Sequence, residues 1–282
     1  MEEAIKKANV LIEALPYIKK FHKKVTVIKY GGSILGEERV RNSVLEDIVF
    51  LRYTGIRPLL VHGGGPNITE RLKESKIYSE FSEGFRVTDD ATLNIVEEEL
   101  NKLNDLIVEE ISSHGVKAAG FKKDNGLLKV EKKRSNKDLG FVGEVIDFNA
   151  GKLKKVLPEA IPIICPMGVS KDNIVYNVNA DEAAFFLASR LPVEKIVFLT
   201  NVLGVMRNPN DEDSLISTLT VKEAEELIND GVIDEGMVPK VKAAVEAIKQ
   251  GVKKAHIIDA KIPHAILLEI FTNEGIGTEI VP

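Results

Sequence analysis

The stretch Val25-Thr-Val-Ile-Lys-Tyr-Gly-Gly-Ser33 runs from apolar residues into a lysine and then into two glycines. A short strand of this kind delivers Lys29 to a sheet edge, and Gly31 and Gly32 let bare backbone N–H groups approach an anion that a Cβ would hold away. The pattern returns about thirty residues later as Pro58-Leu-Leu-Val-His-Gly-Gly-Gly-Pro66, with Pro66 suited to the first turn of a following helix. Either run alone is more often just a tight turn. Two glycine-lined strand ends in one chain suggest two anionic groups, phosphates above all, held near each other. The chain contains neither G-x-x-x-x-G-K-[ST] nor G-x-G-x-x-G, so neither a P-loop nor a dinucleotide-binding fingerprint applies.

The elements that must position these groups follow from periodicity. Strands are expected at 25–30, 58–62, 161–165, 195–200, 255–258 and 278–281. Helices are expected at about 40–54, 66–76, 89–113, 181–191, 220–230, 239–251 and 263–271. Such alternation demands right-handed crossovers and a mainly parallel buried sheet, an α/β fold. The middle differs: 127–133 and 139–146, joined by Arg134-Ser-Asn-Lys-Asp138, read as a β-hairpin, and the basic run Lys129 to Lys137 as its solvated tip. Before the first strand, Ile5, Val10, Leu11, Ala14, Leu15 and Ile18 fall mostly three or four residues apart, the period of an amphipathic helix over 3–21. On the plainest reading its apolar face packs on its own domain. With no repeat and no Pro/Ser-rich linker, the two halves are expected to share one continuous sheet.

Composition narrows the function. A net charge of −5 disfavours a nucleic-acid partner, which needs a clustered basic surface. The single cysteine, Cys165, lies in the apolar run Ile161-Pro-Ile-Ile-Cys165 and reads as a buried, inert thiol. The five histidines show no metal-ligand spacing, no signal h-region follows Met1, and no apolar stretch is long enough for a membrane span. The expected compartment is cytoplasmic, with no membrane partner.

Five motifs in order, Lys29-Tyr-Gly-Gly32, His62-Gly-Gly-Gly-Pro66, Gly84-Phe-Arg-Val-Thr-Asp89, Tyr176-Asn-Val-Asn-Ala-Asp181 and Gly236-Met-Val-Pro-Lys240, make the chain resemble the arginine-sensitive acetylglutamate kinases of the amino acid kinase family. The resemblance extends from Ile12 to Thr278. It implies a three-layer α/β/α sandwich with an N-terminal oligomerisation helix (1–24), an N-lobe for the acyl amino acid and dimer contact (25–175), and a C-lobe for ATP and arginine (176–282). It further implies transfer of the γ-phosphoryl of ATP to the side-chain carboxylate of N-acetyl-L-glutamate in arginine biosynthesis. Mg²⁺ would be bound chiefly through the phosphates, arginine would be the feedback inhibitor, and the assembly would be a hexameric trimer of dimers. In those roles Lys29 and Lys240 match the two lysines that grip phosphate, and Asp181 the carboxylate that orients both, its rival reading being the N-cap of the next helix. Gly63, Gly64 and Gly65 would meet acceptor and phosphoryl with N–H groups. Arg86 would receive the α-carboxylate, for which a planar guanidinium is well suited, and Asn177 would hold the acetylamino-acid. Gly31, Gly32, Thr200, Asn201, Gly236 and Met237 would line ATP, and Glu274 and Gly277 the arginine site.

Several positions depart from the family pattern. Glu235 stands where a glycine is usual, Asn201 where an aspartate is usual, and the segments Glu99-Leu-Asn-Lys-Leu-Asn104 and Gly120-Phe-Lys-Lys-Asp124 each look one residue short. A carboxylate near ATP is repulsive unless it turns to solvent. Two alternatives therefore stay open on sequence: a kinase for a related acceptor such as N-acetyl-aminoadipate or carbamate, and a catalytically weakened arginine-binding regulatory paralogue. Because Lys29, Asp181 and Lys240 are all present, an active kinase is expected.

Overall fold

Every residue of Val25–Tyr30 is buried, which only a strand covered on both faces permits. The structure is a computed structural model that describes residues 1–208, 210–233, 236–272 and 275–282, with backbone alone at residues 3, 4, 6, 7 and 33. The chain runs α1 (Glu2–Phe21), β1 (Val25–Tyr30), α2 (Gly32–Leu35), α3 (Glu38–Tyr53), β2 (Arg57–His62), α4 (Gly65–Glu74), the short hairpin β3 (Phe81–Ser82) and β4 (Phe85–Arg86), and the long α5 (Asp90–Ser113). It continues through β5 (Ala118–Phe121), β6 (Leu128–Lys132), β7 (Val142–Phe148), α6 (Ala150–Val156), β8 (Ile161–Ile164), β9 (Met167–Val169), β10 (Val175–Val178) and α7 (Ala180–Arg190). The last part holds β11 (Val193–Thr200), β12 (Thr218–Thr220), α8 (Val221–Asn229), α9 (Val238–Lys249), β13 (Lys254–Asp259), α10 (Ala265–Phe271) and β14 (Thr278–Val281).

Eight strands form one sheet in the order β12-β14-β13-β11-β1-β2-β8-β5, and only the β13–β14 pair is antiparallel. The expected shared sheet is thus present, with β1 and β11 at its centre. Side chains alternate across a strand, and the two apolar clusters divide accordingly. Val25, Val27, Leu59, Ile196 and Phe198 pack under Leu187 of α7 and Val241 of α9. Ile28, Tyr30, Leu60 and Leu199 pack under Ile48 of α3, Ile107 of α5 and Ile266 of α10. The result is the three-layer α/β/α arrangement.

The expected hairpin exists as β6 and β7, but it closes with β9 and β10 into a four-stranded barrel that the sequence reading did not contain. Its tip is not wholly solvated: Lys133 is half-buried, with Nζ 2.9 Å from Glu182 Oε1 and 4.4 Å above the Phe85 ring. A lysine stem can cover apolar surface while its ammonium finds a carboxylate, which alternation of charges does not reveal. The N-terminal helix forms as expected, but only its C-terminal part, through Tyr17 and Phe21, packs on its own domain. Val10, Leu11 and Ile12 are more than 60% exposed, and only towards its end does Phe21 enter the core.

Candidate active site

Lys29 shares the β1 face of Val25 and Val27, so it emerges beneath the start of α7 rather than beneath α3. There its Nζ lies 2.9 Å from Asp181 Oδ1, with both side chains at most 10% exposed. Lys240, in the first turn of α9, approaches the other carboxylate oxygen of Asp181 at 3.8 Å. Burial pushes the Lys240 ammonium below the ordinary lysine range, Asp181 pulls it back up, and Lys29 pushes it down again. One carboxylate therefore holds two ammonium groups that would otherwise repel. Asp181 is free for this because it does not cap α7: the N-cap is Asn179, whose Oδ1 accepts from the N–H groups of Asp181 (2.8 Å) and Glu182 (3.2 Å). The N-cap alternative for Asp181 is corrected accordingly. Asn179 with Glu182 three positions on is the spacing of a capping box, a signal legible in the sequence but passed over.

The two glycine runs meet. A Cβ on Gly32 would lie 2.7 Å from both Gly64 N and Gly65 N, and one on Gly63 would lie 2.9 Å from Gly32 N. Gly64 and Gly65 open α4, where N–H groups lack helical acceptors and the helix dipole favours negative charge. Gly32 therefore packs directly on the first nitrogens of α4, a close approach of two glycine loops that any side chain at Gly32 would force apart. Behind it, fully buried His62 sits with Nδ1 3.0 Å from Gly63 O and Nε2 3.1 Å from Asn104 Nδ2. Burial lowers the His62 pKa to about 4, so the imidazole is neutral at physiological pH.

Arg86, 7% exposed, ends β4. Its terminal nitrogens donate to Ser79 Oγ (2.5 Å), Thr69 Oγ1 (2.6 Å) and Gly65 O (3.2 Å), and its guanidinium lies 4.6 Å over the Phe81 ring. Burial lowers its pKa. Arg86 thus ties the short hairpin to α4, beside the glycine loops. Asn177 on β10 joins through Thr88: its Nδ2 donates to Thr88 Oγ1 at 3.3 Å, and that hydroxyl donates to Arg86 O at 2.7 Å. Thr200 ends β11 with its hydroxyl engaged by the backbone of Val202, Asn201 is exposed, and Met237 precedes α9 with its side chain against the apolar cluster. Gly236 offers its carbonyl to Lys240 Nζ at 3.5 Å. Glu235 and Glu274 lie outside the described residues.

A cavity of about 380 Å³ lies away from Lys29 and Lys240; it is bordered by Lys20 of α1, Lys195, Lys254, Glu269 of α10, Gly277 and Glu279. Gly277 packs directly on the backbone of Ile257, which leaves no room for a Cβ. Buried His256 places Nδ1 2.6 Å from Glu269 Oε1, and Glu269 Oε2 accepts from Ile276 N–H at 3.1 Å. Sequence reading named Gly277 but neither His256, whose only trace is a polar residue inside the apolar strand β13, nor Glu269 in the helix α10.

Two ammonium groups held on one carboxylate, in a chain whose two glycine loops meet at a helix start, supply the kind of positive potential that an anionic ligand requires. The chain belongs to the amino acid kinase family, whose profile matches residues 24–259, and within it to the acetylglutamate kinases. It is 47% identical over 281 residues to the acetylglutamate kinase of Thermoanaerobacter pseudethanolicus, covering 99% of this chain and 94% of that protein. To the acetylglutamate kinase of Aquifex aeolicus it is 44% identical over 298 residues, covering 99% of each. The fold is shared more widely. N-acetylglutamate synthase from Neisseria gonorrhoeae, complexed with coenzyme A and N-acetyl-glutamate, superposes with a TM-score of 0.89 at 24% identity, over 98% of this chain and 63% of that one. Carbamate kinase from Giardia lamblia bound to AMP-PNP superposes with a TM-score of 0.67 at 17% identity, over 92% of this chain and 98% of that one.

Proposed function

We propose that this chain transfers the γ-phosphoryl group of ATP to the side-chain carboxylate of N-acetyl-L-glutamate, giving N-acetyl-L-glutamyl 5-phosphate and ADP, a step of arginine biosynthesis. The observation that carries the assignment of roles is the Lys29–Asp181–Lys240 bridge set above two touching glycine loops. A carboxylate oxygen attacks the γ-phosphorus, the bond to the β-phosphate oxygen breaks, and no proton is lost or gained. The acceptor is ionised at neutral pH, so no general base is needed and Asp181 orients the lysines instead. Rate comes from alignment and from positive potential where charge spreads over the transferred oxygens. Lys29 and Lys240 supply that potential, the Gly64 and Gly65 N–H groups receive phosphoryl or acceptor oxygens, and the unused donors of Arg86, with Asn177, hold the acetylamino-acid. ATP lies over Gly31, Gly32, Thr200, Asn201, Gly236 and Met237. Mg²⁺ would be held chiefly by the phosphates and would neutralise their charge: among the described residues no three acidic, histidine or cysteine side chains converge on one point, and Asp181 is already shared between lysines. The test is ADP formation from ATP and Mg²⁺ with N-acetylglutamate, N-acetyl-aminoadipate or carbamate. Acetylglutamate should be the acceptor used and Lys29→Ala should lower turnover by orders of magnitude; near-normal turnover by that variant would remove the assignment.

The reading extends to regulation. Residues 25–175 hold the acceptor and the dimer contact, and 176–282 hold ATP. Arginine occupies the cavity between the end of α1 and Gly277, where its guanidinium would share Glu269 and Glu279 with their present partners His256 and Lys254; Glu274 belongs to the same sequence motif. The exposed apolar residues Val10, Leu11, Ile12 and Leu15 then pair with a second copy, so that dimers interlace into a hexamer. No helix among the described residues is long and apolar enough to cross a membrane, and a cytoplasmic location is part of the same reading.

A further inference from the structure

A run of three glycines is a poor holder of its own peptide planes. Glycine moves freely between positive and negative φ, so a Gly–Gly peptide can turn over at little cost, replacing an N–H by a carbonyl oxygen. In an anion site such a turn would exchange attraction for repulsion. The Gly63 end is fixed at one point by its N–H, which donates to Tyr30 O at 2.8 Å. The second fixed point is Gly63 O, 3.0 Å from His62 Nδ1. In a trans peptide the carbonyl and the next N–H point in opposite directions, so whatever holds Gly63 O also aims Gly64 N–H. Gly64 N is one of the two nitrogens packed against Gly32, where the two glycine loops touch.

The orientation of the imidazole is itself determined. Asn104, fully buried on α5, uses its NH₂ group twice: towards Ile163 O at 3.0 Å and towards His62 Nε2 at 3.1 Å. Turning the amide over would set its oxygen against the Ile163 carbonyl, so the NH₂ must face both. Nε2 then has to accept, and the ring proton sits on Nδ1, where it can donate to Gly63 O. The Asn104 oxygen meanwhile has no hydrogen-bond partner among the described residues, and it occupies the space that a Cβ on Gly120 would take. A buried amide held with one end unsatisfied is poorly explained by packing alone.

We propose that His62 is a positioning residue of the phosphoryl-transfer site: fixed as the Nδ1–H tautomer by Asn104, it holds the Gly63 carbonyl and so keeps the Gly64 N–H turned towards the transferred group. The proposal rests on the phosphotransferase reading above. Because a misdirected donor is felt most where charge develops, its loss lowers kcat more than it weakens binding.

Two substitutions separate this from a packing role. In His62→Asn the side-chain NH₂ stands close to the position of Nδ1 and can still donate to Gly63 O, although the side chain leaves a cavity and cannot reach Asn104. His62→Leu fills the core better and has no donor. Stability and turnover should therefore rank in opposite order. His62→Leu is expected to melt higher yet lose about 10²-fold in kcat, with KM for ATP and acetylglutamate within about threefold of wild type, while His62→Asn keeps kcat within about tenfold. If kcat instead follows the melting temperature, or His62→Leu turns over normally, the proposal is overturned. Should neither variant fold, the wild-type protein still decides: ¹⁵N NMR of the imidazole at neutral pH must show Nδ1 protonated and Nε2 bare, and the opposite tautomer would refute it. A wild-type protein that phosphorylates none of the three acceptors would remove the parent reading and this one with it. Full wild-type activity with an unaffected His62→Leu removes the positioning role alone.

Discussion

Replacing Asp181 by asparagine keeps the shape of the side chain and removes the one charge that lets two buried ammonium groups coexist. At an effective dielectric constant of about 20, the 2.9 Å and 3.8 Å contacts correspond to roughly 6 and 4 kcal/mol of attraction before desolvation. Breaking a buried pair from one side typically costs about 3–5 kcal/mol. The Lys240 side chain is 23% exposed and can recover part of its hydration, so the lower end, about 3 kcal/mol, is expected for Asp181→Asn. At roughly 2–4 °C per kcal/mol for a chain of this size, the nucleotide-free variant should melt at least about 6 °C below wild type. Phosphates can then take over the task of the lost carboxylate. ADP or a non-hydrolysable ATP analogue should raise the melting temperature of the variant by more than it raises that of wild type, because ligand now binds a site with one more net positive charge. KM for ATP should hold or fall, while kcat drops about 10²-fold because the lysines are no longer aligned. The assay is thermal melting with and without nucleotide, beside steady-state kinetics. An Asp181→Asn protein that melts like wild type, or whose KM for ATP rises with kcat unchanged, would show that the bridge does not organise the site.

Arg86→Lys should raise KM for acetylglutamate by about 10- to 100-fold and leave KM for ATP within about twofold, since a point charge cannot replace a fork that also anchors Ser79 and Thr69; a rise in KM for ATP alone would reverse the assigned side. Deleting residues 1–15, which stops short of buried Phe21, should convert hexamers to dimers in sedimentation and weaken inhibition by arginine; a full-length protein that is dimeric and indifferent to millimolar arginine contradicts both parts. Stability should also report on His62. Its pKa is lowered from 6.5 to about 4, so its contribution is complete above pH 6.5 and is lost as pH falls towards 4, about 3 kcal/mol in all. Asp47, raised by burial from 3.8 to about 6, works in the opposite direction over the same window, so the quantity to measure is the difference between wild type and His62→Leu in denaturant melts at pH 7 and pH 4. No difference would mean that His62 is not buried as neutral imidazole.

The sheet was legible because its strands are short apolar runs bounded by glycine, proline or charge, and β1, β2, β11 and β13 fall within about two residues of their expected limits. Lys29 was legible because an ammonium at the end of such a run has few surface explanations. The four-stranded barrel was not: β9 and β10 have three and four residues, too few for a period, and their partners β6 and β7 are distant in sequence. Nor could spacing show that His62 meets Asn104, 42 positions away on a helix whose face is set only by packing. The cavity beside α1 was half legible, since Gly277 belongs to a recognisable motif while His256 and Glu269 become partners only through the fold.

Register explains why these loops become a site at all. Tyr30 pairs with His62 on one side and with Leu199 on the other, so β1, β2 and β11 end at one level. Gly31 and Gly32, Gly63 to Gly65, and Thr200 with Asn201 therefore share one rim. In open parallel sheets the carboxyl ends of neighbouring strands form a crevice where the chain leaves in opposite directions, and here β1 leads on to β2 while β11 leads away on the other side to the edge strand β12. Helix starts converge on that crevice, which is why the first N–H groups of α4 and both lysines need no long loops to reach it. The same geometry is unforgiving. Sliding β1 by one residue would turn Lys29 to the face covered by α3 and α5, away from Asp181, and would move Gly32 off the nitrogens of Gly64 and Gly65. Both faces of β1 are buried and apolar, so polarity alone would not resist that slip; the buried Lys29, which needs Asp181, and the fit of Val25 and Val27 against one cluster and of Ile28 and Tyr30 against the other do so instead.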